Sequence, residues 1–210
     1  MSYDPAHFAS ASVVDTCAIW NMLSSRRINQ AAIQAKLHFC ITPVVLYECL
    51  QKPRPNITAE QRQLMTRLRD ERAGGRFPIQ ECKLEDLLAI SAKAPGRLSS
   101  GELSCIATAY RIRSIAVMTD EKLARKYAQN TLELQVETTP RLYGYLHYYQ
   151  HLGGADHDEV IKEHERFERR PLTPFFNQTF EEAMRCRLMM NATAIIANHT
   201  DSKSGTDPFE

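Results

Sequence analysis

Short apolar runs of β character alternate along this chain with longer stretches of helical periodicity. Ser12–Val14 predicts a first strand, followed by helices over Ala18–Ser25 and Asn29–Lys36. Leu37–Thr42 predicts a second strand. Thr42-Pro43 has the form of an N-cap followed by proline at the first helical position, opening a helix to about Leu50. Lys52-Pro-Arg-Pro-Asn56 breaks the pattern. Thr58–Ala73 resumes it as a polar helix with Leu64, Met65 and Leu68 on one face, stopped by Gly74-Gly75. Helices follow over Lys83–Ala94 and Ser100–Arg111, then a strand over Ile115–Thr119, a helix over Glu121–Gln129, a strand over Leu132–Val136 and a helix over Thr139–Leu152.

Strands separated by helices predict an α/β fold, a parallel sheet flanked by helices on both faces with right-handed crossovers. The length suggests one domain, with or without an appendage. Residues 153–210 read as a helical C-terminal extension: a charged helix over Asp156–Arg169, an interruption at Pro171 and Pro174, and a capping box at Thr179-Phe-Glu-Glu182. That box would open a further helix bearing Phe180, Met184, Leu188, Ile195 and Ile196, with Met189-Met190 either a partner surface or, as the favoured reading, a cover for the protein's own core. The last ten residues are polar and read as a mobile tail.

Composition narrows the class. With 210 residues the chain can bury a full core. No stretch is long and apolar enough to span a bilayer, and the N-terminus lacks a signal-peptide pattern, so the expectation is a cytoplasmic protein with no membrane partner. Six cysteines are scattered singly with no C-x-x-C pair; Cys17, Cys40, Cys49 and Cys105 lie in apolar company and read as small buried hydrophobes. The net charge of +1 conceals a basic excess over residues 1–150 and an acidic excess over residues 151–210. A basic body suits a phosphate-bearing partner.

The chemistry is concentrated in four acids. Asp15 ends the first apolar run and Asp120 ends the run Ser114-Ile-Ala-Val-Met-Thr. In open α/β sheets ligands bind outside the carboxyl ends of the strands, so these two carboxylates are expected at one sheet edge. Each acid also has a purely structural reading. Ser99-Ser-Gly-Glu102 fits a capping box, Asp120 could cap the helix over Glu121–Gln129, and Asp15 could cap the helix that follows it. Glu48 is harder to explain this way, because it stands in the nearly apolar helix Val44-Val-Leu-Tyr-Glu48-Cys-Leu, where a buried carboxylate needs a partner. Two carboxylates about 4 Å apart repel by roughly 4 kcal/mol at an effective dielectric of 20. Four gathered together would need a cation or raised pKa values, and hard oxygen ligands suit Mg²⁺ or Mn²⁺.

Four segments, Val13-Val-Asp15-Thr-Cys-Ala-Ile, Pro43-Val-Val-Leu-Tyr-Glu48, Gly101-Glu102-Leu-Ser-Cys-Ile-Ala-Thr-Ala and Met118-Thr-Asp120-Glu-Lys-Leu-Ala-Arg, resemble in order and spacing the acidic motifs of PIN-domain nucleases. The resemblance implies bounds of about residues 11–152 for the domain. The resemblance implies a metal-dependent endoribonuclease, with Asp15, Glu48, Glu102 and Asp120 as the metal-site acids and Thr16 and Thr119 as hydroxyls beside them. Family members often carry another acid just after the last aspartate, here Glu121. Many small members are toxins of toxin–antitoxin pairs (the VapC-like group), which implies an antitoxin partner and a homodimer. The extension after about residue 155 departs from compact members. One or two Mg²⁺ ions held by the acids would activate water for in-line displacement at an RNA phosphate. Lys122, Arg125 and Lys126 are candidate phosphate contacts, or simply a solvated helix face. Arg26, Arg27, Arg111 and Arg113 read as ordinary surface charge.

Other signals are weaker. His147 and His151 are one turn apart but lack the glutamate of H-E-x-x-H, and read as a packed or surface helix. Tyr143, Tyr145, Tyr148 and Tyr149 read mostly as helix packing or a dimer face. There is no G-x-G-x-x-G and no Walker A sequence. An aspartyl-phosphate enzyme would want Asp-x-Asp, and position 17 is Cys. A PIN-fold module that binds RNA or protein without cutting is the second reading; acids at all four positions favour the nuclease.

Overall fold

The computed structural model describes residues 4–168 and 171–201, with side chains as far as residue 193. Four parallel strands form one sheet: β1 (Ala11–Val14), β2 (His38–Cys40), β3 (Ala116–Met118) and β4 (Val136–Glu137), in the order β2-β1-β3-β4. Val13 pairs with Cys40 on one side of β1 and with Val117 on the other. Successive strand residues point to opposite faces. Val13, Val14, Val117 and Met118 are all buried, so both faces of the two central strands are covered. The chain leaves β1 for β2 on one side and later returns for β3 on the other. The order therefore reverses between β1 and β3, which opens a crevice beyond their carboxyl ends.

Ten helices surround the sheet among the described residues: α1 (Thr16–Ser24), α2 (Arg26–Gln34), α3 (Pro43–Leu50), α4 (Ala59–Ala73), α5 (Leu84–Ser91), α6 (Ser100–Ile112), α7 (Lys122–Lys126), α8 (Thr139–Tyr148), α9 (Asp156–Phe167) and α10 (Thr173–Asp201). Their starts follow local chemistry. The Thr42 hydroxyl accepts from Val45 N ahead of Pro43, and Thr58 and Gln61 form a reciprocal capping box on α4. The apolar face of α4, Leu64, Met65 and Leu68, is buried as its spacing predicts. Among the described residues no helix is long and apolar enough to cross a membrane.

Four expectations need correction. The predicted strand over Leu132–Val136 shrinks to β4, because α7 runs on into a π-helical turn over Tyr127–Thr131 and Glu133 takes a left-handed φ of 54°, which turns the chain before it can extend. The predicted helix over Lys83–Ala94 shortens to α5. There is no new helix start at Thr179: α10 runs through it, and the Thr179 hydroxyl donates back to the Phe175 and Phe176 carbonyls. Pro174 sits in the first turn of α10, where its missing N–H costs nothing. Finally, Leu188, Met189 and Met190 do not cover the core; each is more than half exposed. The predicted helix end at Arg169, the side chains of Ile195 and Ile196, and most of the polar tail lie outside the described residues.

The C-terminal helices pack on the body. α10 lies along α8, and α9 touches α1, α2 and α4. Two buried histidines mark these contacts. His164 Nε2 accepts from Leu172 N at 2.9 Å, so a neutral ring carries its proton on Nδ1 and donates to Ser24 Oγ at 2.8 Å. His147 is enclosed by Tyr143, His157 and Phe180, consistent with a packed helix. Burial holds the pKa of each at about 4.

A histidine whose folded pKa lies below its unfolded value of about 6.5 contributes stability that is complete above 6.5 and is lost as pH falls toward 4. Relative to the wild type, His147→Phe is therefore expected to gain about 2 kcal/mol of stability when the pH is lowered from 7 to 5. Denaturant unfolding at the two pH values measures this, and an identical pH response in both proteins would contradict a buried neutral imidazole.

Candidate metal centre at the strand ends

Asp15 follows β1 directly and caps α1. Its Oδ1 accepts from Ala18 N at 2.8 Å and its Oδ2 accepts from the Thr119 hydroxyl at 2.5 Å. Thr119 comes just after β3, so one hydrogen bond ties the ends of the two strands that border the crevice. Thr119 Oγ1 in turn accepts from Glu121 N at 3.2 Å. Asp15 is buried. Burial pushes its pKa up to about 7; the hydrogen bonds from Thr119 and Ala18 oppose this, and the charges of Asp120 and Glu102 add to it.

Glu48 projects from α3 toward the start of α6. Its Oε2 accepts from the Thr16 hydroxyl at 2.7 Å and its Oε1 accepts from Gly101 N at 3.1 Å. The first N–H groups of a helix have no intrahelical acceptor and carry the positive end of its dipole. The acid that seemed out of place in an apolar helix therefore has its partner on a different helix. Gly101 is required by this approach: a Cβ there would lie 2.4 Å from Glu48 Oε2.

Glu102 realises the structural reading of its motif. Its Oε2 accepts from Ser99 N at 2.7 Å while Ser99 Oγ accepts from Glu102 N, a complete capping box. Asp120 does not cap α7; Glu121 holds that position without a side-chain bond. Instead Asp120 accepts from Asn21 Nδ2 at 2.7 Å, from Thr139 N at 2.9 Å and from the Thr139 hydroxyl at 2.6 Å. It thereby joins α1 to the first turn of α8.

The acids thus gather around the crevice, with Thr16 and Thr119 each bonded to one of them. Cys17, exposed on the first turn of α1 rather than buried as expected, lies in their common field: desolvation and then the charges of Asp15, Glu121, Asp120 and Glu102 raise its thiol pKa. Yet each of the four carboxylates is turned onto protein donors, and among the described residues no three His, Cys, Asp or Glu side chains are close enough together to hold an ion as placed. The donor set itself fits Mg²⁺ or Mn²⁺. It consists of oxygens, each carboxylate has further acceptor capacity, and none of the four acids forms a salt bridge among the described residues.

Lys122 and Lys126 are exposed and Arg125 half-buried on α7; Lys122 and Arg125 line one groove with Asp120 and Glu121. Arg27 and Arg111 are not plain surface charge: Arg27 pairs with Asp156 and Glu159 of α9, and Arg111 pairs with Asp86. Arg113 is the left-handed C-cap of α6. Four contributors escaped the sequence reading. Asn21 and Thr139 fix Asp120, Gly101 fixes Glu48, and the half-buried Glu168 of the extension senses the charge of Asp120. The only signals were an asparagine on an apolar helix face and a glycine inside a helix start; Glu168 carried none.

The chain matches the family model described as PIN domain (DUF3368) over residues 11–140. No curated protein and no solved structure matches it.

Two outcomes follow from this geometry. Gly101→Ala should displace the flexible end of Glu48, lowering Mn²⁺ affinity at least about 10-fold by calorimetry while the melting temperature stays within a few degrees. An acid whose folded pKa is raised contributes stability that is complete below its unfolded value and is lost as pH rises through about 7. Asp15→Asn, which keeps the Ala18 cap, should therefore raise the melting temperature of EDTA-treated protein at pH 8. A lower melting temperature would mean that the charge is not held at a cost.

Proposed function

We propose that this chain, which belongs to the PIN-domain family, is a Mg²⁺-dependent endoribonuclease that hydrolyses RNA phosphodiester bonds at Asp15, Glu48, Glu102 and Asp120. The observation that carries this reading is the buried Asp15 carboxylate, held between two strand ends with the charges of Asp120 and Glu102 bearing on it and, among the described residues, no salt bridge to any of the three. A structural cap needs neither that crowding nor that burial.

Asp15, Glu48, Glu102 and Asp120 would hold the metal, with Glu121 at the rim. Bound Mg²⁺ or Mn²⁺ supplies a Lewis acid for the phosphate and lowers the pKa of water. The protein's part is orientation. Thr119 and Ala18 N aim the Asp15 oxygens, Thr16 and Gly101 N aim Glu48, and Asn21 with Thr139 aim Asp120. Glu102, bonded to Ser99 N through Oε2, would offer the metal its remaining acceptor capacity. Lys122, Arg125 and Lys126 of α7 would neutralise phosphates that flank the scissile one; Lys122 and Arg125 line the same groove as Asp120 and Glu121. The family's small toxin members extend the reading to the toxin half of a toxin–antitoxin pair, as a homodimer neutralised by a partner protein. A small adjacent gene for a DNA-binding protein is the observation that would support that role.

The test is cleavage of RNA by the purified chain. Mg²⁺ or Mn²⁺ should support cutting, EDTA should stop it, and Asp15→Asn should lower the rate by more than about 100-fold. Undiminished activity in Asp15→Asn would remove the assigned centre. RNA binding without cleavage under either metal would favour a silent PIN-fold binding module.

A further inference from the structure

A groove of about 1530 Å³ opens beside Asp120 and Glu121, between α7, the start of α8 and α10. Asp120 and Glu121 lie on its rim, Lys122 and Arg125 on one wall, and Phe175, Gln178 and Arg185 of α10 on the other. It exceeds the ~300–1,000 Å³ of ordinary small-molecule sites, so it suits an extended polymer. The wall formed by α10 lies beyond residues 11–140 that match the family model.

Resting on the ribonuclease reading, we propose that this groove is the path of single-stranded RNA to the acids, with Phe175 as a base-stacking platform. Phe175 is 55% exposed, while the next residue, Phe176, is fully buried. Phe176 packs on Tyr143 and His164, with ring centroids at 4.8 and 4.9 Å. Neighbouring helix positions point about 100° apart, so anchoring Phe176 in the core turns Phe175 out into the groove. Gln178, one turn along, offers an amide to base edges. Lys122 and Arg125 form no salt bridge among the described residues, whereas Arg185 is held by Glu182 at 2.6 Å. The cations available for phosphate therefore stand opposite the aromatic. Cations tracking a backbone, with an exposed ring facing them, are the recognition chemistry of single strands, whose bases offer open π-faces. In a duplex those faces are already stacked.

The test uses the full chain, a fluorescent ten-nucleotide RNA and Ca²⁺ in place of Mg²⁺, read by anisotropy. Phe175→Ala should weaken single-strand binding about 5- to 100-fold, and Phe175→Trp should retain it. Gln178→Glu should weaken it as well. A blunt duplex of the same sequence should bind more weakly and be insensitive to Phe175→Ala. Binding by Phe175→Ala within twofold of wild type, or equal losses for single strand and duplex, would overturn the proposal. The two readings separate cleanly. RNA held in a Phe175-dependent way but never cut leaves the groove and removes the nuclease. Asp15-dependent cleavage with KM unchanged in Phe175→Ala leaves the nuclease and removes the groove.

Discussion

The Asp15 carboxylate is buried where β1 ends and α1 begins, and the surrounding structure is arranged to keep an acid there. Taking a charge out of water costs several kcal/mol unless hydrogen bonds or a counter-charge offset it. One N–H and one hydroxyl do part of this, yet Asp120 and Glu102 push in the other direction. For the Thr119 hydroxyl to arrive, β3 must lie beside β1 in its observed register, with Val14 opposite Met118. For Glu48 to approach, α6 must present its N-terminus with no side chain at position 101. The cap on Ala18 N could be made by a neutral asparagine, without burying a charge beside two other acids.

The C-terminal extension is part of the same body. A continuous run of hydrogen bonds leads from it toward the acids: Leu172 N to His164 Nε2, His164 Nδ1 to Ser24 Oγ, and Ser24 Oγ to the Asn21 carbonyl, while Asn21 Nδ2 reaches Asp120. Arg27 adds ion pairs between α2 and α9. These bonds set the position of α9 and the start of α10 relative to the strand ends. That position gives the groove its second wall.

Much of the fold was legible in the sequence because it is written in short-range chemistry. The strands at β1 and β3, the caps at Thr42 and Ser99, and the buried face of α4 all follow from neighbours in the chain. The readings that failed were those where a distant or backbone-level effect took over. Leu132–Gln135 has strand composition, but a π-helical turn and a left-handed Glu133 redirect it. Thr179 has the form of a cap, but a helix already begun at Thr173 absorbs it. Cys17 has apolar neighbours in sequence, but lies on the exposed first turn of α1 among Asp15 and acids from two other segments.

For the acids themselves, the sequence determined which residues could serve and placed Asp15 and Asp120 at strand ends, since periodicity alone fixes where a strand stops. Beyond the local caps of Glu102 at Ser99 and of Asp15 on α1, it could not determine what each carboxylate touches. Glu48 meets Gly101 across 53 positions, Asp15 meets Thr119 across 104, and Asp120 meets Asn21 across 99. Such partners are chosen by the order of strands in the sheet and by the packing of helices from separate segments. Only the tertiary structure brings those segments together, so only it decided that the unexplained glutamate faces a helix N-terminus and that the extension walls a groove beside the acids.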